Sequence, residues 1–202
     1  MKRGTLIVGI CGSPRIGSTD FVVRASLKHM EEKYQVKTRY FTVAGKTIEF
    51  CIHCDYCVRT KKGCTFKDDM TQVYPLMEKA DAWIVGTPVY QGNVSAQTKA
   101  VLDRCRALTA KNPHIFRNKL GGAIAVGGDR IGGQEPAIQT IIDFYIINEM
   151  IPVGGGAFGA NLGGTVWSKD RLAEGAKQDS EGLKSVYKMV DRLASMLSVL
   201  KG

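Results

Sequence analysis

The chain has 202 residues and 44% apolar content, which suits one domain (1–202) with a full core, and no apolar run is long enough to span a bilayer. Its 28 basic and 19 acidic residues give a formal net charge of +9, but the charges are scattered and carry no zinc-finger, RRM-like or helix-turn-helix pattern. Nucleic-acid and membrane partners are therefore not expected. Met1-Lys2-Arg3-Gly4 is too short to start a secretory signal, so a cytoplasmic location with reduced thiols is the expectation.

Thr5 to Cys11 is a short apolar run between Gly4 and Gly12, the pattern of a strand buried on both faces. Gly12-Ser13-Pro14-Arg15-Ile16-Gly17-Ser18-Thr19 follows it. Two glycines, three hydroxyls, an arginine and a helix N-terminus supply donors for a dianionic phosphate. The run is neither a dinucleotide fingerprint nor a P-loop, so a phosphomonoester such as that of FMN fits it better. The plain alternative is a Gly/Ser-rich turn with a helix cap. Ser18 or Thr19 caps a helix to about Lys33, and Gln35 to Val43 alternates as a more exposed strand.

A cysteine loop occupies about residues 48–67. Cys51, Cys54 and Cys57 lie three apart, and Cys64 follows after six intervening residues. A short loop with C-x2-C-x2-C wraps thiolates around three corners of an iron–sulfur cube, and a fourth closes the cage. Zinc, a disulfide framework and a thioredoxin-type pair remain as other readings of the spacing. Overlapping knuckles that share Cys54 crowd a single-ion site, and a redox pair leaves thiols unexplained. His53 reads as an exposed loop histidine; Cys11 and Cys105 read as small core residues.

Asp68 or Asp69 then caps a helix with Met70, Val73, Leu76, Met77 and Ala80 on one stripe, kinked or started late at Pro75. Ala82 to Gly86 is a third strand. Thr87-Pro88-Val89-Tyr90-Gln91-Gly92-Asn93 follows as a loop offering a flat apolar face and polar tips, suited to a flavin ring edge. A helix spans Ser95 to Leu108. Gly122 to Val126 is the fourth strand, and Gly127-Gly128-Asp129-Arg130-Ile131-Gly132-Gly133 permits close backbone approach, with Arg130 able to offset charge on a reduced flavin. A helix opening at Pro136 runs from Ala137 to Met150 and is apolar nearly all round, which makes a subunit interface plausible. Pro152 to Gly155 is a weak fifth strand, Gly159 to Gly164 a flexible stretch, and about Lys169 to Leu200 a long last helix. This alternation predicts a doubly wound, five-stranded parallel sheet in three α/β/α layers, with the cysteine loop inserted after the second strand.

Several stretches, GSPRIGST at 12–19, CIHCDYC with Cys64 at 51–64, KDDM at 67–70, GTPVYQGNVSAQTKAVLDR at 86–104 and GGDRIGGQE at 127–135, resemble the iron–sulfur flavoproteins of anaerobic archaea and bacteria, within the NAD(P)H-dependent FMN reductase-like proteins. The resemblance covers most of the chain, to about residue 150. It implies a flavodoxin-like fold, one FMN and one [4Fe-4S] cluster per chain, and dimers or dimers of dimers in which cluster and flavin meet across a subunit contact. It makes Cys51, Cys54, Cys57 and Cys64 the iron ligands, and Ser13, Arg15, Ser18 and Thr19 the phosphate site. Thr87, Pro88, Val89, Tyr90, Gly92 and Asn93 would line the ring and ribityl chain, and Gly128, Asp129, Arg130 and Gly133 would approach the isoalloxazine.

The function expected is electron transfer from a one-electron donor through the cluster to FMN and on to oxygen, peroxide, a quinone or a protein. The basic charge suits an acidic, ferredoxin-like donor. Two other readings stand beside it: an NAD(P)H-dependent FMN or quinone reductase whose cysteine loop holds zinc or nothing, and a redox sensor without turnover.

Overall fold

The structure is a computed structural model, and it describes residues 4–160 and 162–201. Met1 to Arg3 and Asn161, on which parts of the leader and flexible-stretch readings fall, lie outside the described residues. In chain order the elements are β1 (Leu6–Cys11), α1 (Ser18–Tyr34), β2 (Lys37–Thr42), α2 (Tyr56–Thr60), α3 (Met70–Lys79), β3 (Ala82–Tyr90), β4 (Asn93–Val94), α4 (Ala96–Arg104), α5 (Arg106–Lys111), β5 (Leu120–Gly127), α6 (Gln134–Ile147), β6 (Ile151–Pro152), β7 (Gly164–Trp167), α7 (Leu172–Lys177) and α8 (Ser180–Lys201).

The sheet runs β2-β1-β3-β5, and its last position is shared by β6 and β7, all parallel. With the two-residue β4 set aside, this is the doubly wound flavodoxin-like order. Alternate residues of the central strands feed two cores. Val8, Ile10, Trp83 and Val85 pack with α3, α4 and α6 on one face. Ile7, Ile84, Ile124 and Val126 pack with α1 and α8 on the other. Gly121 and Gly122 in β5 let both layers press close: a Cβ there would lie 2.5 Å from the Tyr145 ring and 2.5 Å from Met189 Sδ respectively.

The structure redraws several boundaries. β3 continues past Gly86 to Tyr90, because Thr87 and Pro88 still pair with Ala125 and Val126; Pro88 only looked like a break. A two-residue hairpin at Gln91 and Gly92, both at positive φ (49° and 80°), then returns the chain as β4. The fifth sheet position is not Pro152 to Gly155. Ile151–Pro152 pairs with Leu120–Gly121, the chain then leaves the sheet, and Gly164–Trp167 rejoins opposite Ile124–Gly127. Between them Gly155 N–H donates to the Ala160 carbonyl (2.6 Å), folding the excursion on itself. The long last helix divides around Asp179, and the helix from Ser95 divides at Cys105. Val186, Val190, Leu193 and Leu197 of α8 are buried against the chain's own sheet. On α6, Ile138 and Ile141 are buried, whereas Ile146 and Ile147 stay 58% and 80% exposed. Among the described residues no helix is long and apolar enough to cross a membrane.

Candidate functional site

Two pockets collect most of the residues singled out in the sequence. The first lies at the carboxyl ends of the strands. It is lined by Ser13, Arg15, Ser18, Thr19, Pro88, Val89, Tyr90, Val126, Gly128, Ser168 and Asp170. Its floor is set by the turn out of β1. Ser13 Oγ donates to the Arg15 carbonyl (2.7 Å), which closes the turn. Ser18 and Thr19 do not cap α1; Gly17 holds that position without a side-chain bond, so the two hydroxyls stand in the first turn of a 17-residue helix. A helix N-terminus, Arg15 and these hydroxyls form a donor set that fits a phosphate dianion.

Behind the pocket is a buried hydroxyl network. Ser95 Oγ donates to the Gly12 carbonyl (2.7 Å) and accepts from Thr98 N–H (3.1 Å), capping α4. Thr98 Oγ1 donates to Thr87 Oγ1 (2.9 Å), and Ser95 N–H donates to the same oxygen (3.2 Å). Thr87 is fully buried. It ties strand ends together and does not line the pocket. Gly12 is required here, since a Cβ would lie 1.9 Å from Thr98 Oγ1. Gly12→Ala is expected to destabilise the protein by ~1–3 kcal/mol, read as a lower chemical-denaturation midpoint, because the network cannot yield without opening.

Gly92, Asn93, Asp129, Arg130 and Gly133 also fall outside the pocket wall. Asn93 Oδ1 accepts from Val94 N–H (2.7 Å) and Thr140 Oγ1 (2.8 Å), which pins the hairpin to α6. Arg130 turns to Asp179 (2.5 Å) and lies 5.0 Å from the Trp167 ring centre. Gly133, at φ 108°, abuts the hairpin backbone: a Cβ on it would sit 2.5 Å from Gly92 Cα. The loop from Gly127 to Gly133 is shaped by residues the sequence did not reveal. Gln134 Nε2 donates to the Asp129 carbonyl (2.6 Å), Trp167 Nε1 to the Gly128 carbonyl (2.6 Å) and Ser168 Oγ to the Gly127 carbonyl (3.0 Å). Ser168 and Asp170 reach the pocket because they follow β7, and the only sequence signal for them was the short alternation Thr165-Val166-Trp167.

The second pocket is lined by all four loop cysteines, Cys51, Cys54, Cys57 and Cys64, together with His53, Asp55, Phe66, Asp103, Arg104 and Arg106. The loop doubles back through left-handed residues at His53, Asp55 and Lys61 and a positive φ at Gly63. Its base is tied at both ends. Asp68 Oδ2 accepts from Glu49 N–H (2.8 Å), and Asp69 Oδ2 accepts from Thr47 N–H (2.8 Å). Asp68 Oδ1 also accepts from Met70 N–H (3.2 Å), so it is the residue that satisfies the start of α3. Arg106 Nη2 donates to Asp55 Oδ1 (2.6 Å), and Arg59 Nη1 to the Cys54 carbonyl (2.9 Å). Cys51 and Cys54 are exposed, Cys57 and Cys64 half-buried, and Cys11 and Cys105 are buried in the core. His53 is exposed.

Among the described residues no three His, Cys, Asp or Glu side chains converge closely enough to hold one metal ion. A zinc ion needs its thiolates about 2.3 Å from a single point. An iron–sulfide cube is wider and takes one thiolate at each of four corners. Four thiols spread around one pocket are a donor set of that second kind.

A buried ion pair anchors this pocket. Arg104 Nη1 donates to Asp68 Oδ2 (2.6 Å) and to the Glu49 carbonyl (2.7 Å), and Nη2 donates to Asp68 Oδ1 (3.0 Å). The side chains are 1% and 6% exposed. Burial works against the Asp68 charge, but Arg104 and the Glu49 and Met70 amides outweigh it and hold the carboxyl below the usual aspartate range. A lowered carboxyl contributes stability that is present above the ordinary aspartate pKa and is lost as pH falls through the folded value. Thermal melts should therefore fall steeply below about pH 4, and Asp68→Asn, less stable at neutral pH, should show a flatter slope there.

A sheet of this order, with an anion-type pocket at its carboxyl edge, defines a flavodoxin-like protein. The sequence model of the NADPH-dependent FMN reductase family matches residues 5–165. An iron–sulfur flavoprotein of Methanocaldococcus jannaschii is 55% identical over 196 residues, covering 97% of this chain and 98% of its own. One of Archaeoglobus fulgidus is 55% identical over 197 residues, covering 98% and 100%. The chain belongs to the iron–sulfur flavoprotein family of FMN reductase-like proteins. Solved structures agree in fold: an NADH:FMN oxidoreductase superimposes with a TM-score of 0.66 at 16% identity, over 95% of this chain and 89% of that one. A WrbA-like flavodoxin of Agrobacterium tumefaciens gives 0.63 at 15%, over 97% and 99%.

Proposed function

We propose that the strand-end pocket holds FMN, that the four cysteines hold a [4Fe-4S] cluster, and that the protein passes electrons from a one-electron, ferredoxin-like donor through the cluster to the flavin and on to oxygen, peroxide, a quinone or a protein. The observation that carries this reading is the second pocket: four thiols line it together with Arg104 and Arg106, and Arg59 holds the Cys54 carbonyl, in a chain that separately offers a phosphate cradle. When bound, the two groups supply one-electron and two-electron chemistry; the protein positions them and tunes them.

Ser18, Thr19 and Arg15 would take the phosphate. Pro88, Val89 and Tyr90 would face the ring, and the Ser168 hydroxyl and Asp170 carboxylate would meet the ribityl hydroxyls. The two pockets share no lining residue. We therefore read the working unit as a homodimer or homotetramer, for which the exposed Ile146 and Ile147 are the natural contact. The net charge of +9 suits an acidic donor protein.

The test is the amount of iron, acid-labile sulfide and FMN per chain in protein purified without oxygen. About four irons and four sulfides beside one FMN are expected from this ligand set. Flavin with zinc, or without metal, would instead favour direct hydride reduction by NAD(P)H, the reading that the matched family's description supports. Arg15→Ala is expected to weaken FMN binding by roughly 10- to 100-fold, since a charge-assisted hydrogen bond is removed. Fluorescence titration of the apoprotein with FMN and with riboflavin checks this: only FMN should lose affinity.

A further inference from the structure

Arg104 has one nitrogen without a hydrogen-bond partner among the described residues. Its Nη groups are taken by Asp68 and the Glu49 carbonyl. Its Nε–H is buried and has no acceptor among the described residues. Buried N–H groups are rarely left so, because the water they gave up is not replaced. The Phe66 ring, 5.1 Å from the guanidinium carbon, covers the group. Yet Arg104 and Cys64 line the same thiol pocket.

We infer that Arg104 Nε–H donates a hydrogen bond to Cys64 Sγ in the loaded protein and raises the reduction potential of the cluster. The inference rests on the proposal that the cysteine loop holds a cluster. Reduction adds negative charge to the cluster and its ligand sulfurs, so a fixed N–H donor stabilises the reduced form more than the oxidised one. Arginine suits the position because its planar fork engages Asp68 with two nitrogens while the third points elsewhere; lysine offers only a point charge.

The experiment compares wild type with Arg104→Lys, which keeps the positive charge opposite Asp68. Iron and sulfide are counted first, and the cluster is then titrated by EPR-monitored reduction. Arg104→Lys is expected to keep its iron while the one-electron reduction equilibrium shifts about tenfold toward the oxidised form, ~59 mV. A full cluster with an unmoved potential overturns the inference and leaves the cluster reading standing. Wild-type protein without iron and sulfide overturns both. A second measurement does not depend on the variant folding: wild type carrying 15N-arginine should show nitrogen coupling to the reduced cluster in pulsed EPR. This coupling should survive Arg106→Lys, and its absence from wild type overturns the inference.

Discussion

Serine at any one of positions 51, 54, 57 or 64 is expected to strip the protein of most of its iron while FMN stays bound. The thiols and the phosphate cradle lie in separate pockets, so loss of one group does not unmake the other site. The serine hydroxyl is a poor anionic ligand beside a thiolate. Outer-shell changes at metal sites already reduce affinity or activity by about 10- to 100-fold, and removal of a ligand exceeds that. Reduction of the flavin by a one-electron donor protein should therefore fall by at least ~100-fold, whereas reduction by dithionite, a small reductant that acts on the flavin directly, should persist. Cys11→Ser and Cys105→Ala serve as controls, since both thiols are buried in the core and neither lines the thiol pocket. Full iron in a loop variant, or iron loss in a core variant, would contradict the ligand assignment.

The second large effect is expected at Asp68. Asp68→Ala leaves the Arg104 guanidinium buried without its carboxylate and frees the Glu49 amide. Breaking one side of a buried pair costs about 3–5 kcal/mol. By contrast, the exposed pair Lys28–Glu32 on α1 should be worth no more than ~1 kcal/mol. Denaturant titrations of the two variants should separate them plainly. The Asp68 variant should also lose iron faster to a chelator, because the same carboxylate closes the base of the cysteine loop.

Much of the architecture could be read along the chain because its signals are local. The run from Thr5 to Thr19 carries strand, turn and helix start in fifteen consecutive residues, and Ser95 announces its own helix by capping it. The cysteine spacing was equally local. What escaped depends on distant partners. Asn93 looks like a loop side chain, but its Oδ1 accepts from Thr140, 47 residues on, and Thr87 turns away from the pocket into the Ser95 and Thr98 network. Arg104 and Asp68 stand 36 residues apart, so nothing local marks them as a pair. β7 was missed because four residues behind a glycine-rich stretch are too few to declare a period. With it went Ser168 and Asp170.

Gly133 and Gly92 meet backbone to backbone, with no side chain between them to bend or rotate. The hairpin after β3 and the loop after β5 are thereby held in backbone contact beside the strand-end pocket, to whose wall Tyr90 and Gly128 belong. A side chain at Gly133 would collide with the Gly92 backbone and force the two apart, whereas one at Gly92 would meet nothing within 4 Å.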